Sequence, residues 1–92
     1  MSYIQILTFL LGEDKFALDI KLVDTIEYKM PVTYVPKAKN YVKGLINIRG
    51  KVLPVIDINM IIGNKNKQIE VKKFIIANVD NESLALAISD RK

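Results

Sequence analysis

The sequence predicts an all-β fold, a small barrel or sandwich of six or seven short strands. Its apolar residues recur mainly with a period of two, and no stretch keeps the helical period of 3.6 long enough for an independent helix. Polar breaks with glycine, asparagine or aspartate separate the apolar runs. With 92 residues, 50% of them apolar and 26% charged, the chain has the composition of one folded domain, residues 1–92, with a modest core.

The first two strands are predicted as a hairpin. Residues 3–11 read YIQILTFLL, which is apolar on both faces and therefore typical of a strand buried on both sides. A polar break at residues 12–15 precedes a second apolar run at residues 16–20, so we expect a four-residue loop. After residue 20 the apolar spacing changes to three, which predicts one helical turn leading into a short strand.

Residues 31–58 contain a proline-bracketed connector and a second hairpin. The connector, PVTYVP, is expected to be an extended edge or loop, since proline lacks an amide donor. The hairpin reads LINI, RGK and VLPVIDI, with Gly50 supplying a positive φ in its turn. Pro54 predicts an edge or a bulge in the returning strand. Asp57 is expected to cap a short helix that ends at Gly63.

The last third of the chain predicts a polar loop at residues 64–73 and a third hairpin at residues 74–88, with its turn at residues 80–82.

Several kinds of chemistry are excluded by composition. The chain has no histidine and no cysteine, which removes imidazole bases, thiolate nucleophiles and the usual transition-metal ligands. No glycine-rich phosphate-binding motif is present. Asp19 and Asp57 are the only acids inside apolar runs, and we expect both to be local cap or turn acceptors. We therefore expect no enzyme activity, no cofactor and no metal.

Positive charge is concentrated in residues 37–51. The net charge is +4, and this segment contains five basic residues and no acid: Lys37, Lys39, Lys43, Arg49 and Lys51. Solvated lysines that maintain solubility explain such a run, and so does an acidic partner. Because Tyr34 and Tyr41 flank the lysines, a small basic β-barrel that binds single-stranded nucleic acid remains an alternative.

Arg49 is the one arginine before the penultimate residue of a chain with twelve lysines. Arginine offers a planar, bidentate geometry that lysine lacks. Its place at a predicted turn between two apolar strands therefore indicates either a solvated turn residue or an anchor for a protein partner.

The run from residue 41 to residue 58, YVKGLINIRGKVLPVIDI, resembles the signature of the CheW-like family. Residues 7–12, 16–20, 32–36 and 85–90 resemble the flanking motifs of that family in order and spacing. The resemblance covers nearly the whole chain. It implies two SH3-like or OB-like five-stranded β-barrels, packed around a hydrophobic centre, with one or two short helical turns.

The resemblance also implies the function of a cytoplasmic chemotaxis adaptor without catalytic activity. Such an adaptor couples the regulatory domain of the histidine kinase CheA to methyl-accepting chemotaxis receptors, and neither binds nucleic acid nor inserts into a membrane. Carried over by motif, the implied partner-binding residues are Asn47 and Arg49, with Gly44 and Gly50 allowing close backbone approach, and Val23.

The sequence departs from the family pattern in two places. The family commonly has glutamate where this chain has Thr25, and Glu27 lies two residues later, which leaves open the charged contact expected there. The domain of the family also continues beyond the last matching motif with further strands. We therefore expect the C-terminal part of that domain to be missing, the second barrel to be incomplete, and copies to self-associate or exchange strands through the 74–88 hairpin.

Overall fold

The computed structural model describes residues 3–64 and 67–91, and within them the chain is built almost entirely of strands. The strands are β1 (Ile6–Leu11), β2 (Asp14–Asp19), β3 (Val23–Tyr28), β4 (Val42–Ile48), β5 (Lys51–Ile56), β6 (Lys73–Val79), β7 (Glu82–Ile88) and β8 (Asp90–Arg91). A 3₁₀ turn, Ile20–Leu22, precedes β3, and a one-turn helix, α1 (Ile58–Ile61), follows β5. The all-β prediction is confirmed.

Two sheets organise these strands. One has five strands in the order β3-β6-β7-β5-β4, and the other has three in the order β2-β1-β8. All neighbouring strands are antiparallel except β5 and β7, which pair in parallel at Val55–Ala85 and Ile56–Leu86. Within the described residues the three-stranded sheet is open, so it forms no second barrel of five strands.

Apolar side chains alternate along β6 and fill two cores. Phe74 and Ile76 belong to a cluster enclosed by the five-stranded sheet, whereas Ile75 belongs to a second cluster, toward the three-stranded sheet. Such alternation follows from the period of two, which turns successive side chains to opposite sides of a sheet. The first cluster is Ile46, Leu53, Val55, Phe74, Ile76, Ala85 and Ala87; the second is Phe9, Leu11, Ile75 and Ile88.

The five-stranded sheet curls until its two edge strands approach each other. Thr33, in the connector after β3, exchanges two backbone hydrogen bonds with Leu45 of β4, both 2.8 Å long. Further along, Glu27 of β3 lies 3.9 Å from Arg49, which follows β4. These contacts make a small barrel of the sheet, and the line along which β3 and its connector meet β4 is called the seam below.

The first hairpin differs from its prediction at both ends. The predicted four-residue loop is wrong, because Asp14 and Lys15 already pair with β1 and leave a turn of two residues. Burial on both sides is also wrong for the start of the run, since Tyr3 and Ile4 are each 79% exposed. Strand β1 begins only at Ile6. An apolar sequence pattern does not show which of its residues will be covered by other parts of the protein.

Pro54 lies inside the five-stranded sheet, so the predicted edge position is wrong. Strand β5 runs between β7 and β4, with Pro54 opposite Leu45. Because Leu45 directs its own amide and carbonyl to Thr33, β4 requires no amide from Pro54. The register shift of this pair lies instead on β4, between Val42 and Gly44.

Both aspartates inside apolar runs act as local acceptors, as predicted. Asp19 accepts from the Lys21 amide at 2.9 Å, and Asp57 accepts from the Met60 amide at 3.3 Å, at the start of α1. Gly63, with φ of 92°, follows the end of that helix. In the predicted loop at 64–73, residues 65 and 66 lie outside the described residues, and Lys73 already belongs to β6.

The 74–88 hairpin has no free strand edge, so the reason for expecting strand exchange through it is wrong, whereas self-association of the chain stays a prediction. Strand β6 is paired with β3 and β7, and β7 is paired with β6 and β5, so the hairpin forms the centre of its sheet. Among the described strands, the outermost positions belong to β2 and β8 in one sheet and to β3 and β4 in the other.

Candidate functional site

The turn between β4 and β5 carries three of the predicted site residues. Arg49 and Gly50 form its two central positions, with φ of 50° and 82°. Positive φ at both positions is the pattern of a type I′ turn, which favours Asn-Gly, Asp-Gly and Gly-Gly. The Gly50 amide donates to Asn47 Oδ1 at 3.0 Å, so the Asn47 side chain fastens the turn from within. The positive φ predicted for Gly50 is confirmed.

Arg49 occupies this turn at an energetic cost. A side chain in the left-handed region costs roughly 1–2 kcal/mol compared with ordinary backbone conformations. The turn between β6 and β7 has the same φ pattern but uses Asp80 and Asn81, the residue types that tolerate it. Backbone geometry therefore does not explain the arginine.

The guanidinium of Arg49 lies largely in solvent. Its side chain is 72% exposed, and its one ion-pair partner within the described residues is Glu27, with 3.9 Å between Nη2 and Oε2. That distance is too long for a hydrogen bond. The bidentate donor geometry of this arginine is therefore available to a carboxylate outside the chain.

Glu27 lies on the same face of β3 as Thr25, the position at which the resemblance implies a glutamate. Residues two apart on a strand share a face, so Thr25 and Glu27 both lie on the side of β3 that carries their partners Ile76 and Phe74. Glu27 is only 26% exposed and reaches across the seam to Arg49. The period of two could have indicated from sequence that a glutamate shifted by two residues stays on the same face.

A second basic group stands beside the turn. Lys51 Nζ donates to Ser83 Oγ at 3.1 Å, and Ser83 Oγ donates to Asn78 Oδ1 at 2.6 Å. Arg49, Lys51 and Ser83 line a cleft of about 170 Å³ together with Asp24. Two cations, one carboxylate and one hydroxyl thus form a polar surface, which the sequence indicated only through its basic run.

Gly44 is required by the close approach of the connector to β4, and its implied part in partner binding stays a prediction. A Cβ at this position would overlap the Thr33 carbonyl oxygen and lie 2.7 Å from Val32 Cγ1. Its φ of 152° is also rare for residues with side chains. Gly44 therefore lets the connector pack against β4, whereas Gly50 has open space around its missing Cβ and makes no close approach within the chain.

Val23 lies apart from the turn. It begins β3 opposite Ala77, and its half-buried side chain packs against the second cluster, between the two sheets. The structure thus brings Gly44, Asn47, Arg49 and Gly50 together on one hairpin and places Val23 in a core.

An apolar opening lies in the seam beside the turn. Its volume is about 480 Å³, and its lining residues are Met30, Pro31, Thr33, Leu45, Ile46, Asn47 and Val52. Val52 is 57% exposed at this opening. No sequence pattern predicts this opening, because the opening depends on how the connector and β4 diverge beyond Thr33.

The described residues contain no cluster of metal ligands and no membrane-spanning helix. In residues 3–64 and 67–91 no three acidic side chains come close enough together to hold a metal ion. Across the same residues, no helix combines the length and the apolar character that crossing a membrane requires. The five basic residues of segment 37–51 are all exposed, so the site is an open and positively charged surface.

Comparison with known proteins connects this hairpin to a family. The profile of the CheW-like domain matches residues 5–91. The chemotaxis protein CheW of Rhizobium meliloti is 34% identical over 97 residues, covering 95% of this chain and 63% of the relative. CheW of Thermotoga maritima is 27% identical over 84 residues, covering 91% of this chain and 56% of the relative.

A solved structure agrees with these matches. The scaffolding protein TtCheW of Thermoanaerobacter tengcongensis superposes with a TM-score of 0.85 at 27% identity, covering 99% of this chain and 63% of that one. The chain therefore spans somewhat over half the length of these relatives. Membership of a scaffold family agrees with the expectation that the chain is not an enzyme, and it lends no support to the nucleic-acid alternative. The chain belongs to the CheW-like domain family.

Proposed function

We propose that this chain is a non-catalytic scaffold of chemotaxis signalling, and that it acts in the cytoplasm by binding other proteins. Its partners on this proposal are the regulatory domain of the histidine kinase CheA and the cytoplasmic tips of methyl-accepting chemotaxis receptors. Support comes from the family match over residues 5–91, from the CheW relatives and from the scaffolding protein TtCheW.

The single observation that carries the proposal is Arg49 in its turn. The residue has φ of 50° in a position that favours asparagine, aspartate or glycine, and its side chain is 72% exposed. A strained residue with a free, bidentate cationic group is a reason to infer function, since stability alone would select another residue. Exposed arginines beside apolar contacts are frequent anchors of protein interfaces.

Asn47, Gly44 and Gly50 serve this proposal by holding Arg49 in place. Asn47 fastens the turn, Gly50 allows its backbone conformation, and Gly44 admits the connector against β4. Val23 also stays a proposed partner-binding residue, and its packing between the sheets fixes the start of β3 and thereby the position of Glu27.

The experiment is a titration of the chain with the CheA regulatory domain and, separately, with a soluble receptor cytoplasmic fragment. We expect saturable binding to the kinase domain, weakened by Arg49→Ala while the circular dichroism spectrum stays unchanged. Lys15→Ala, at an exposed position on β2, is the matched control for removing a cation. Absence of binding to both partners would refute the proposal.

A further inference from the structure

We infer that the seam opening binds an extended, acidic segment of a partner protein, with one apolar side chain inserted between the connector and β4. The inference deepens the proposed function and rests on it, since it names the kind of segment that the same surface takes. Three independent features of the seam support it: its unpaired backbone, its apolar lining and the charge around it.

On the seam side of β4, backbone pairing stops between Leu45 and Asn47. Leu45 directs both its amide and its carbonyl to Thr33, at 2.8 Å, so these groups face away from β5. Groups two residues further along a strand face the same way, which turns those of Asn47 toward the opening.

Continued antiparallel pairing would place Pro31 opposite Asn47. Proline has no amide hydrogen to donate to the Asn47 carbonyl. Among the described residues, no backbone hydrogen bond joins Asn47 to the connector. The edge of β4 therefore changes from paired at Leu45 to unpaired at Asn47, which is the condition for adding an extended strand from another chain.

The opening is suited to one apolar side chain. Met30 and Ile46 line its inner part, and both belong to the first cluster or pack against it. Val52 contributes an exposed apolar surface at its rim. A side chain inserted here would extend the core of the barrel, which gives the pairing at Asn47 an apolar anchor.

Charge around the opening favours an acidic segment. Among the described residues no cation lines the opening itself, but Arg49, two residues beyond Asn47, shares the neighbouring cleft with Lys51, and Lys29 precedes Met30 in the chain. All three cations are exposed. Two carboxylates lie near these three cations: Glu27 is 3.9 Å from Arg49, and Asp24 lines the cleft that contains Arg49 and Lys51. A second copy of this chain would bring a basic rim against a basic rim, so the complementary occupant is an acidic segment of a different protein.

A protein segment fits better than nucleic acid. An extended peptide offers a carbonyl and an amide to the Asn47 backbone and alternates its side chains between the opening and solvent. A nucleic acid would need exposed aromatic rings for stacking, and no aromatic residue lines the opening.

The test uses a fluorescein-labelled peptide of eight residues in which glutamate and leucine alternate. We expect it to bind at least tenfold tighter than two matched peptides, one alternating glutamate with serine and the other lysine with leucine. Equal binding of the serine peptide would show that charge alone acts, and equal binding of the lysine peptide would show that charge plays no part. Either result, or tighter binding of a labelled oligonucleotide, overturns the inference.

Two measurements place the peptide on the molecule. Addition of the peptide should shift the Asn47 amide resonance and slow its hydrogen exchange at least tenfold. Val52→Glu should abolish binding and Val52→Thr should weaken it, whereas Ile61→Glu, on the equally exposed α1, should leave it unchanged. An unaffected Asn47 amide, or equal loss from Ile61→Glu, contradicts the assigned position.

The two proposals fail separately. Peptide binding is measured without the kinase or the receptor, so a negative peptide result leaves their titrations unaffected. Conversely, if neither of those proteins binds while the peptide still occupies the seam, the acidic-segment site stands and the chemotaxis partners are wrong.

Discussion

Glu27 Oε2 lies 3.9 Å from Arg49 Nη2, and this contact joins the strands at opposite edges of the five-stranded sheet. One partner is mostly buried and the other is mostly exposed. Glu27 can therefore attract the guanidinium without satisfying its donors, which keeps Arg49 over the seam and free to bind. The contact is better suited to positioning an arginine than to stabilising the barrel.

The Arg49–Glu27 pair should contribute little to stability. A double-mutant cycle with Arg49→Ala and Glu27→Gln should give a coupling free energy below about 1 kcal/mol, since exposed pairs lose most of their attraction to solvent. Urea unfolding of the four proteins measures it. A coupling of several kcal/mol would mean that the pair is a structural element of the barrel.

Replacing Gly44 should destabilise the chain strongly. Gly44→Ala places a Cβ against the Thr33 carbonyl and forces an unfavourable φ, so we expect a loss of at least about 2 kcal/mol. Gly63→Ala is the control, because its φ is also positive but its surroundings are empty. Similar losses for the two variants, measured by urea unfolding, would contradict a close approach of the connector.

The capping role of Asp57 should be measurable. Asp57→Ala removes the acceptor of the Met60 amide at the start of α1, and such caps are worth about 1 kcal/mol. Glu70→Ala, at an exposed position outside the strands, removes the same charge without a cap. Thermal unfolding should therefore separate the two variants, and equal melting temperatures would argue against the cap.

Strand β8 should make stability sensitive to acid. The hydrogen bond from Lys73 lowers the pKa of the Asp90 carboxyl below its ordinary value of 3.8, and the Arg91 amide adds to this. A lowered pKa in the folded state means that the contribution is complete above pH 3.8 and is lost as the pH falls through the folded value. The stability difference between the native chain and Asp90→Asn should therefore shrink below pH 3.8. A difference that stays constant from pH 7 to pH 2 would contradict it.

The sequence predicted the positions of strands and turns along the chain better than it predicted which strands pair in the sheets. The period of two placed all three hairpins, and residue chemistry identified the Asp57 cap and the positive φ of Gly50. The prediction for Pro54 was wrong because a proline inside the sheet is acceptable only where the opposite residue needs no amide from it. Leu45 meets that condition by bonding to Thr33, a contact between segments twelve residues apart. The 74–88 hairpin was misplaced for a similar reason, since its order in the sheet depends on β3 and β5.

The candidate site was predictable only in part. Composition singled out Arg49, and the family resemblance placed Asn47, Gly44 and Gly50 beside it. The Glu27 contact and the seam opening depend on the curl of the whole sheet, which no local pattern encodes. For Val23 the resemblance implied a partner contact, and its half-buried position between the sheets could not be predicted from the local sequence.

On the proposed function, Arg49 serves partner binding at the expense of stability, and Arg49→Asn separates these two effects. Asparagine suits a positive φ, so the variant should be more stable than the native chain by about 0.5–1 kcal/mol in urea unfolding. The same variant should bind the CheA regulatory domain at least tenfold more weakly in isothermal titration calorimetry. Greater stability with weaker binding is the predicted result, and unchanged affinity for the kinase domain would contradict the account.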